Sequence, residues 1–191
     1  MRSIQSFGNR ICIRHKYLPS SYKQIGPTLV SLAQKYIEKI SQNNVRLMVI
    51  GDKSRLSKVT LSNLSEAEKM TEGNTGLTMI LAISYSSRWE IVEATKRIAA
   101  EVKTGALDVE AINEQIFSNH LATAGIPDPD LLVRTSGELR ISNFLMWQLS
   151  YSELYFTPVS WPEFKKEQFF EAIIDYQKRE RRFGKTSEQL S

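Results

Sequence analysis

The polar segment 134–143 carries the residue types that a phosphorylated ligand needs. It holds two arginines, Arg134 and Arg140, together with a glycine and several hydroxyl side chains. Guanidinium groups match phosphate oxygens in a bidentate way, hydroxyl groups add donors, and glycine lets the backbone turn tightly. The segment therefore predicts a binding site for an anionic, phosphorylated ligand. The alternative is a surface loop whose arginines pair with Glu138 and Asp130.

A single acid follows this segment closely. Glu153 lies among apolar and aromatic residues in the stretch 151–156. A carboxylate in such surroundings needs a partner, either a metal ion or an arginine. Magnesium that is bound to a diphosphate takes only one or two protein carboxylates. Glu153 is therefore either a Mg²⁺ ligand or the ion-pair partner of Arg134 or Arg140, and both interpretations stay open.

Alternating strands and helices position these residues. Apolar runs predict strands at 45–50, 77–83 and 131–133, with an extended piece at 153–156. Helical spacing predicts helices at about 28–42, 58–71, 89–103, 108–121, 144–149 and 163–181. This alternation indicates an α/β fold with a largely parallel sheet. Ligands of such sheets bind at the carboxyl ends of strands, which is where segment 134–143 begins.

Composition narrows the class of protein. The 191 residues suit one domain, and the formal net charge of +4 suits an anionic substrate or membrane surface. Cys12 is the only cysteine, so we expect a reducing cytoplasmic location and no internal disulfide. No apolar run is long enough to span a bilayer, so any membrane contact would be peripheral. The arginines form no stripe, which argues against nucleic acid, and His15 and His120 lack metal-site spacing.

The stretch Asp130–Phe164 closely resembles the C-terminal signature of the cis-prenyltransferases, the undecaprenyl diphosphate synthase family. Other pieces of the chain are similar to family segments too. They are Asn44–Asp52, Asn74–Thr78, Ser84–Ile91 and Arg179–Gly184. The resemblance covers most of the chain, from about 28 to 184.

The resemblance implies a fold, a reaction and a set of site residues. Family members condense isopentenyl diphosphate with an allylic diphosphate, here expected to be farnesyl diphosphate, and the bacterial ones make the undecaprenyl carrier lipid for the cell wall. Arg134, Arg140 and Ser142 look like ligands of the isopentenyl diphosphate group, with Ile141 in the same run. Glu153 looks like the carboxylate that helps to hold Mg²⁺. Such enzymes are homodimers, and 144–164 looks like part of the interface.

The family's N-terminal part is not recognisable in this sequence. Family members carry an Asp-Gly-Asn-x-x-Trp motif whose aspartate positions magnesium, and the run Phe7–Arg10 resembles it only superficially. We therefore expect an atypical segment at 1–26, a partial prenyltransferase domain with helices on both faces of its sheet at 27–184, and a frayed tail at 185–191. The catalytic residue stays unassigned. The alternative function is a non-catalytic subunit that acts as a dimer partner.

Overall fold

A computed structural model describes residues 10–14 and 37–180, the first range by its backbone alone. The chain divides into two compact units, which among these residues comprise 10–14 with 37–126, and 127–180. We call them the three-stranded unit and the two-stranded unit after their sheets.

All strands of the three-stranded unit are parallel. They are β1 (Arg10–Arg14), β2 (Arg46–Ile50) and β3 (Thr78–Ala82), and β3 lies in the middle. Arg10 and Arg46 both lie opposite Thr78, so the two outer strands start level with the central one. The parallel α/β class that the sequence predicts is confirmed. Strand β1 was not predicted, because only three apolar residues stand between its two arginines.

Serine side chains start the two long helices of this unit. Helix α1 (Lys58–Met70) begins after Ser57, whose hydroxyl accepts from the Thr60 backbone N–H, and α2 (Ser87–Thr104) begins after Ser86 in the same way. Serine favours this position because its oxygen satisfies a free N–H of the first turn. A short helix, α3 (Glu114–Asn119), follows, and residues 37–42 are also helical.

The core of the three-stranded unit forms where the helical segment 37–42 and α1 meet the sheet. Ile37, Leu47 and Ala67 form a buried cluster, with Met79 and Leu81 packed against it. Leu47 on β2 lies opposite Met79 on β3, and Met79 and Leu81 are alternate residues of β3, so these three side chains share one face of the sheet. The predicted apolar runs are thus the residues that hold the sheet to its helices.

A carboxylate is also buried in this unit. Glu90 on α2 is 2% exposed, yet both of its oxygens are hydrogen-bonded. Its Oε2 accepts from the Tyr85 hydroxyl, and its Oε1 accepts from the Ala122 backbone N–H at 2.9 Å. Burial of a carboxylate is tolerated when it is fully paired. Glu90 therefore ties the turn after β3 to the segment that follows α3.

The two-stranded unit consists of a parallel pair and a helix. Strand β4 (Leu131–Arg134) pairs with β5 (Glu153–Phe156), so that Leu131 lies opposite Glu153 and Arg134 opposite Phe156. Helix α4 (Lys166–Lys178) follows a short 3-10 turn at Trp161–Glu163. Both predicted strands are confirmed, and the predicted last helix begins three residues later than expected.

Two predicted helices need correction. The short helix expected at 144–149 is reduced to a single turn, in which the Leu149 N–H donates to the Leu145 carbonyl at 2.8 Å, because Leu145 has a φ of 45°, outside the right-handed helical region. The helix expected at 108–121 is reduced to α3 and a separate 3-10 turn. Asn113 caps α3 by accepting from the Ile116 N–H, and this cap separates the two pieces.

Among the described residues, no helix combines the length and the apolar character that crossing a membrane requires.

Candidate functional site

Arg134 ends strand β4 and is one of the polar residues of the two-stranded unit that bury a side-chain atom without a hydrogen bond to a described residue. Its carbonyl oxygen accepts from the Thr157 backbone N–H at 2.9 Å, which fixes the strand end. Its side-chain Nε is buried and has no hydrogen-bond partner within the described part of the chain. A buried donor left unpaired costs about 1–3 kcal/mol. This cost is relieved if a ligand supplies the acceptor, which favours the binding interpretation of Arg134.

The loop after Arg134 is held in one conformation by backbone hydrogen bonds. Ser136 N–H donates to the Val159 carbonyl and Gly137 N–H donates to the Thr157 carbonyl, each at 2.9 Å. Both loop residues have positive φ, 68° at Ser136 and 67° at Gly137. A serine in this region is strained, and such strain tends to persist at functional sites, where the surrounding structure enforces it. The loop is therefore preformed.

The end of segment 134–143 is strained as well. Ser142 has a φ of 52° and Asn143 a φ of 60°, and Ile141 and Ser142 are both half-buried. The predicted ligands Ser142 and Ile141 thus lie on irregular backbone.

Arg140 forms an ion pair with a nearby residue of the same loop. Its Nη2 contacts Oε2 of Glu138, two residues earlier, and the Arg140 side chain is 65% exposed. The alternative pairing that the sequence allowed is thus confirmed for Arg140. An exposed pair of this kind contributes only about 0–1 kcal/mol. A diphosphate with several negative oxygens can therefore compete with Glu138 for Arg140.

Glu153 begins strand β5 and has a partner that the sequence did not predict. Arg179 Nη1 donates to its Oε2 at 2.9 Å, so neither Arg134 nor Arg140 is its ion-pair partner. The hydrogen bond with Glu153 is the main cause that raises the pKa of Arg179 above its ordinary value, and Asp175 adds to the effect. Arg179 is the residue that sequence reasoning missed. Its spacing of four residues from Asp175 was a local signal for their ion pair.

Glu153 stands at the start of β5, opposite Leu131, whereas Arg134 ends β4, opposite Phe156, so the strand pairing does not place the two side chains opposite each other. Among the described residues, no group of three or more His, Cys, Asp or Glu side chains could hold a metal ion. Glu153 is one carboxylate with a side chain that is 27% exposed. This arrangement suits Mg²⁺, which takes most of its ligands from phosphate oxygens and water.

His120 lies elsewhere and has a structural role. It caps α3, its Nδ1 contacts the Ile116 carbonyl at 2.7 Å, and its Nε2 contacts Glu101 at 3.0 Å. Its side chain is 15% exposed. These contacts raise its pKa, the Ile116 carbonyl most of all and Glu101 next. His15 lies outside the described residues.

Residues 23–184 match the protein-family model described as "Putative undecaprenyl diphosphate synthase". The chain belongs to this family.

Individual proteins that are similar to this chain carry names of the same family. The isoprenyl transferase of Porphyromonas gingivalis is 54% identical over 149 residues, which are 78% of this chain and 59% of that protein. The ditrans,polycis-undecaprenyl-diphosphate synthase ((2E,6E)-farnesyl-diphosphate specific) of Vibrio cholerae is 49% identical over 81% of this chain and 62% of its own length. The chain thus spans about three fifths of the length of these relatives.

Solved structures of the family also match. Lavandulyl diphosphate synthase from Lavandula x intermedia, solved in complex with dimethylallyl diphosphate, superposes with a TM-score of 0.87 at 34% identity, covering 93% of this chain and 79% of that one. A probable undecaprenyl diphosphate synthase from Campylobacter jejuni gives 0.79 at 34% identity, covering 92% and 83%. The cis-prenyltransferase fold that the sequence predicted is confirmed.

Proposed function

We propose that this chain binds isopentenyl diphosphate and takes part in its condensation with an allylic diphosphate. The product class is a cis-polyprenyl diphosphate, the precursor of an undecaprenyl carrier lipid for cell-wall synthesis. Family membership supports the reaction type. The name of the Vibrio cholerae relative supports farnesyl diphosphate as the allylic substrate.

The observation that carries the proposal is the buried Nε of Arg134. This donor has no partner among the described residues, it stands at the carboxyl end of a parallel strand, and a preformed loop follows it. A guanidinium group in this state gains a charge-assisted hydrogen bond when a diphosphate oxygen arrives. Arg140, Ile141 and Ser142 would complete the binding run. Arg140 exchanges the Glu138 carboxylate for phosphate oxygens.

Glu153 is the proposed protein ligand of Mg²⁺. When bound, the metal would neutralise charge on the diphosphate groups. This chain would contribute one partly exposed carboxylate to the metal, and Oε2 of that carboxylate already accepts a hydrogen bond from Arg179. No aspartate of an Asp-Gly-Asn motif occurs in the sequence, so no residue is assigned to the allylic side.

A homodimer is part of the proposal, with an interface that includes 144–164. Large apolar side chains in this stretch are exposed, which supports a partner surface. They are Met146, Tyr151, Leu154 and Trp161. We further propose that the protein acts in the cytoplasm, in peripheral contact with the membrane that receives its product. Sedimentation equilibrium should give the mass of two chains, and a mass of one chain would contradict the dimer.

Thermal unfolding with and without isopentenyl diphosphate tests the binding step. The ligand and Mg²⁺ together should raise the melting temperature, since a ligand that binds only the folded state stabilises it. Arg134→Ala should weaken binding by about 10- to 150-fold, the equivalent of the 1.5–3 kcal/mol of a hydrogen bond to a charged group. Arg140→Ala should cost less, because Arg140 must first leave Glu138.

Arg46→Ala is the matched control. Arg46 is an exposed arginine at the start of β2 in the other unit, so its loss removes one positive charge and no residue of the proposed binding run. The proposal fails if Arg134→Ala binds like the Arg46→Ala control. Binding without incorporation of labelled isopentenyl diphosphate would favour the non-catalytic dimer partner instead.

A further inference from the structure

Arg179 stands directly after α4 and joins this helix to strand β5. Its Nη1 donates to Glu153 Oε2 at 2.9 Å and to the Leu154 carbonyl at 3.0 Å. Its Nη2 contacts Asp175 Oδ2 at 2.6 Å, one helical turn earlier. One guanidinium group thus has three separate anchors, on two elements of the two-stranded unit.

Two of these anchors fix the guanidinium plane independently of Glu153. The Leu154 carbonyl belongs to the backbone of β5, and Asp175 belongs to the same helix as the arginine. The hydrogen bond to the Leu154 carbonyl and the ion pair with Asp175 together restrict the rotation of the guanidinium group. The side chains of Arg179 and Glu153 are 31% and 27% exposed, so water only partly screens their contact. Arg179 can therefore hold Glu153 in one orientation.

The net charge of Glu153, Asp175 and Arg179 is negative and would attract a cation. Two carboxylates, Glu153 and Asp175, share one guanidinium, which leaves a formal charge of −1 on the three side chains. Only Oε2 of Glu153 is engaged among the contacts of the described residues, and Oε1 stays available. A carboxylate held in this way would leave one oxygen for a metal–ligand bond.

We propose that Arg179 is a positioning residue, which holds Oε2 of Glu153 so that Oε1 can bind the Mg²⁺ of the diphosphate complex. This inference rests on the proposed metal role of Glu153. Groups that orient a metal ligand from behind usually change metal affinity about 10- to 100-fold when they are removed. Arg179 has the contacts of such a group, with Glu153, the Leu154 carbonyl and Asp175.

A purely structural role for Arg179 makes a different prediction. If the residue only ties α4 to β5, its loss lowers the melting temperature of the metal-free protein and does nothing else. If it positions Glu153, its loss also raises the Mg²⁺ concentration that the protein needs. The two roles separate when stability and Mg²⁺ dependence are measured in the same titration.

The experiment is a Mg²⁺ titration of the thermal shift at a fixed, saturating concentration of isopentenyl diphosphate. Arg179→Met should raise the half-maximal Mg²⁺ concentration by about 10- to 100-fold. Arg179→Lys should recover only part of this loss, because a single ammonium cannot reach all three anchors in the geometry of the fork. Asp175→Asn should have a smaller effect, because the contacts with Glu153 and Leu154 remain.

Two further variants make the result decisive. Lys178→Met is the matched control, since it removes an exposed cation beside Arg179 and should leave the Mg²⁺ midpoint unchanged. Glu153→Gln should raise the midpoint, and adding Arg179→Met to it should raise it no further. If Glu153→Gln shifts the midpoint and Arg179→Met does not, the positioning role is wrong and the proposed function stands. If Glu153→Gln leaves the midpoint unchanged, the metal role of Glu153 fails, and this inference fails with it.

Discussion

Two side chains accept hydrogen bonds from the outward-facing N–H groups of β2: that of Glu68 on α1 and that of Thr71, the residue that caps the C-terminus of α1. Substitution of Thr71 tests how much such a bond contributes to stability. Among the described strands β2 lies at the outside of its sheet, so the N–H groups of alternate residues point away from β3. Thr71 Oγ1 accepts from the Leu47 N–H at 3.0 Å and donates to the Ala67 carbonyl at 2.9 Å. Glu68 Oε1 accepts from the next such N–H, that of Val49, at 2.7 Å.

Thr71→Val keeps the shape of the side chain and removes only the hydroxyl. Thr71 is 0% exposed and Leu47 is 3% exposed, so water does not replace the lost partner. The Leu47 N–H is then buried and unpaired, which costs about 1–3 kcal/mol. With a urea m-value of about 2 kcal/mol/M, the unfolding midpoint should fall by about 0.5–1.5 M. Thr71→Ser is the control, because it keeps the hydroxyl and loses the methyl group.

Amide hydrogen exchange locates the effect. In Thr71→Val the Leu47 amide should exchange about 5- to 150-fold faster than in the wild type, relative to the amide of Ile80 in the central strand, because 1–3 kcal/mol is lost locally. Thr71→Ser should leave this ratio close to the wild-type value. An unchanged Leu47/Ile80 ratio in Thr71→Val would refute the reasoning, since the hydroxyl would then not be protecting the edge.

Two further predictions concern the three-stranded unit. His120 has a raised pKa in the folded state, so its contribution to stability is complete below its ordinary pKa of 6.5 and is lost as the pH rises through the folded value. The unfolding free energy should therefore decline over this window, and His120→Gln should flatten the decline in urea melts taken between pH 5.5 and 8.5. Gly51 has a φ of 119°, and a Cβ there would collide with the Ile83 carbonyl oxygen, so Gly51→Ala should lower the melting temperature by several degrees. Gly73→Ala, where a Cβ would meet nothing within 4 Å, should change the temperature little, and equal effects of the two substitutions would contradict the steric argument.

The sequence predicts strands well where an apolar run is continuous. Strands β2, β3 and β4 each contain such a run, and the sequence placed all three. Strand β1 escaped prediction because its run, Ile11–Ile13, is short and flanked by arginines. What makes it a strand is pairing with β3, more than sixty residues away, and a local pattern holds no information about that partner.

Helix ends were harder to predict, for two different physical reasons. Apolar spacing continues through 108–121, but Asp108 and Asn113 each accept from a backbone N–H and start a new turn. Such capping competes with continuation of a helix. A sequence prediction detects it only if capping residues are considered together with the spacing of apolar residues. At 144–149 the obstacle is Leu145, whose positive φ no propensity scale would assign to leucine.

In the candidate site, too, residues close together in sequence were predicted and contacts between distant residues were not. The run Arg134–Ser142 was recognisable because its side chains are close in sequence and follow one strand. The partner of Glu153 was not, because Arg179 lies 26 residues later and reaches β5 only through the folding of α4 against it. A segment that touches a ligand can therefore be found by its residue types. The side chains that hold such a segment in place depend on the fold, and they are the ones for which a structure is needed.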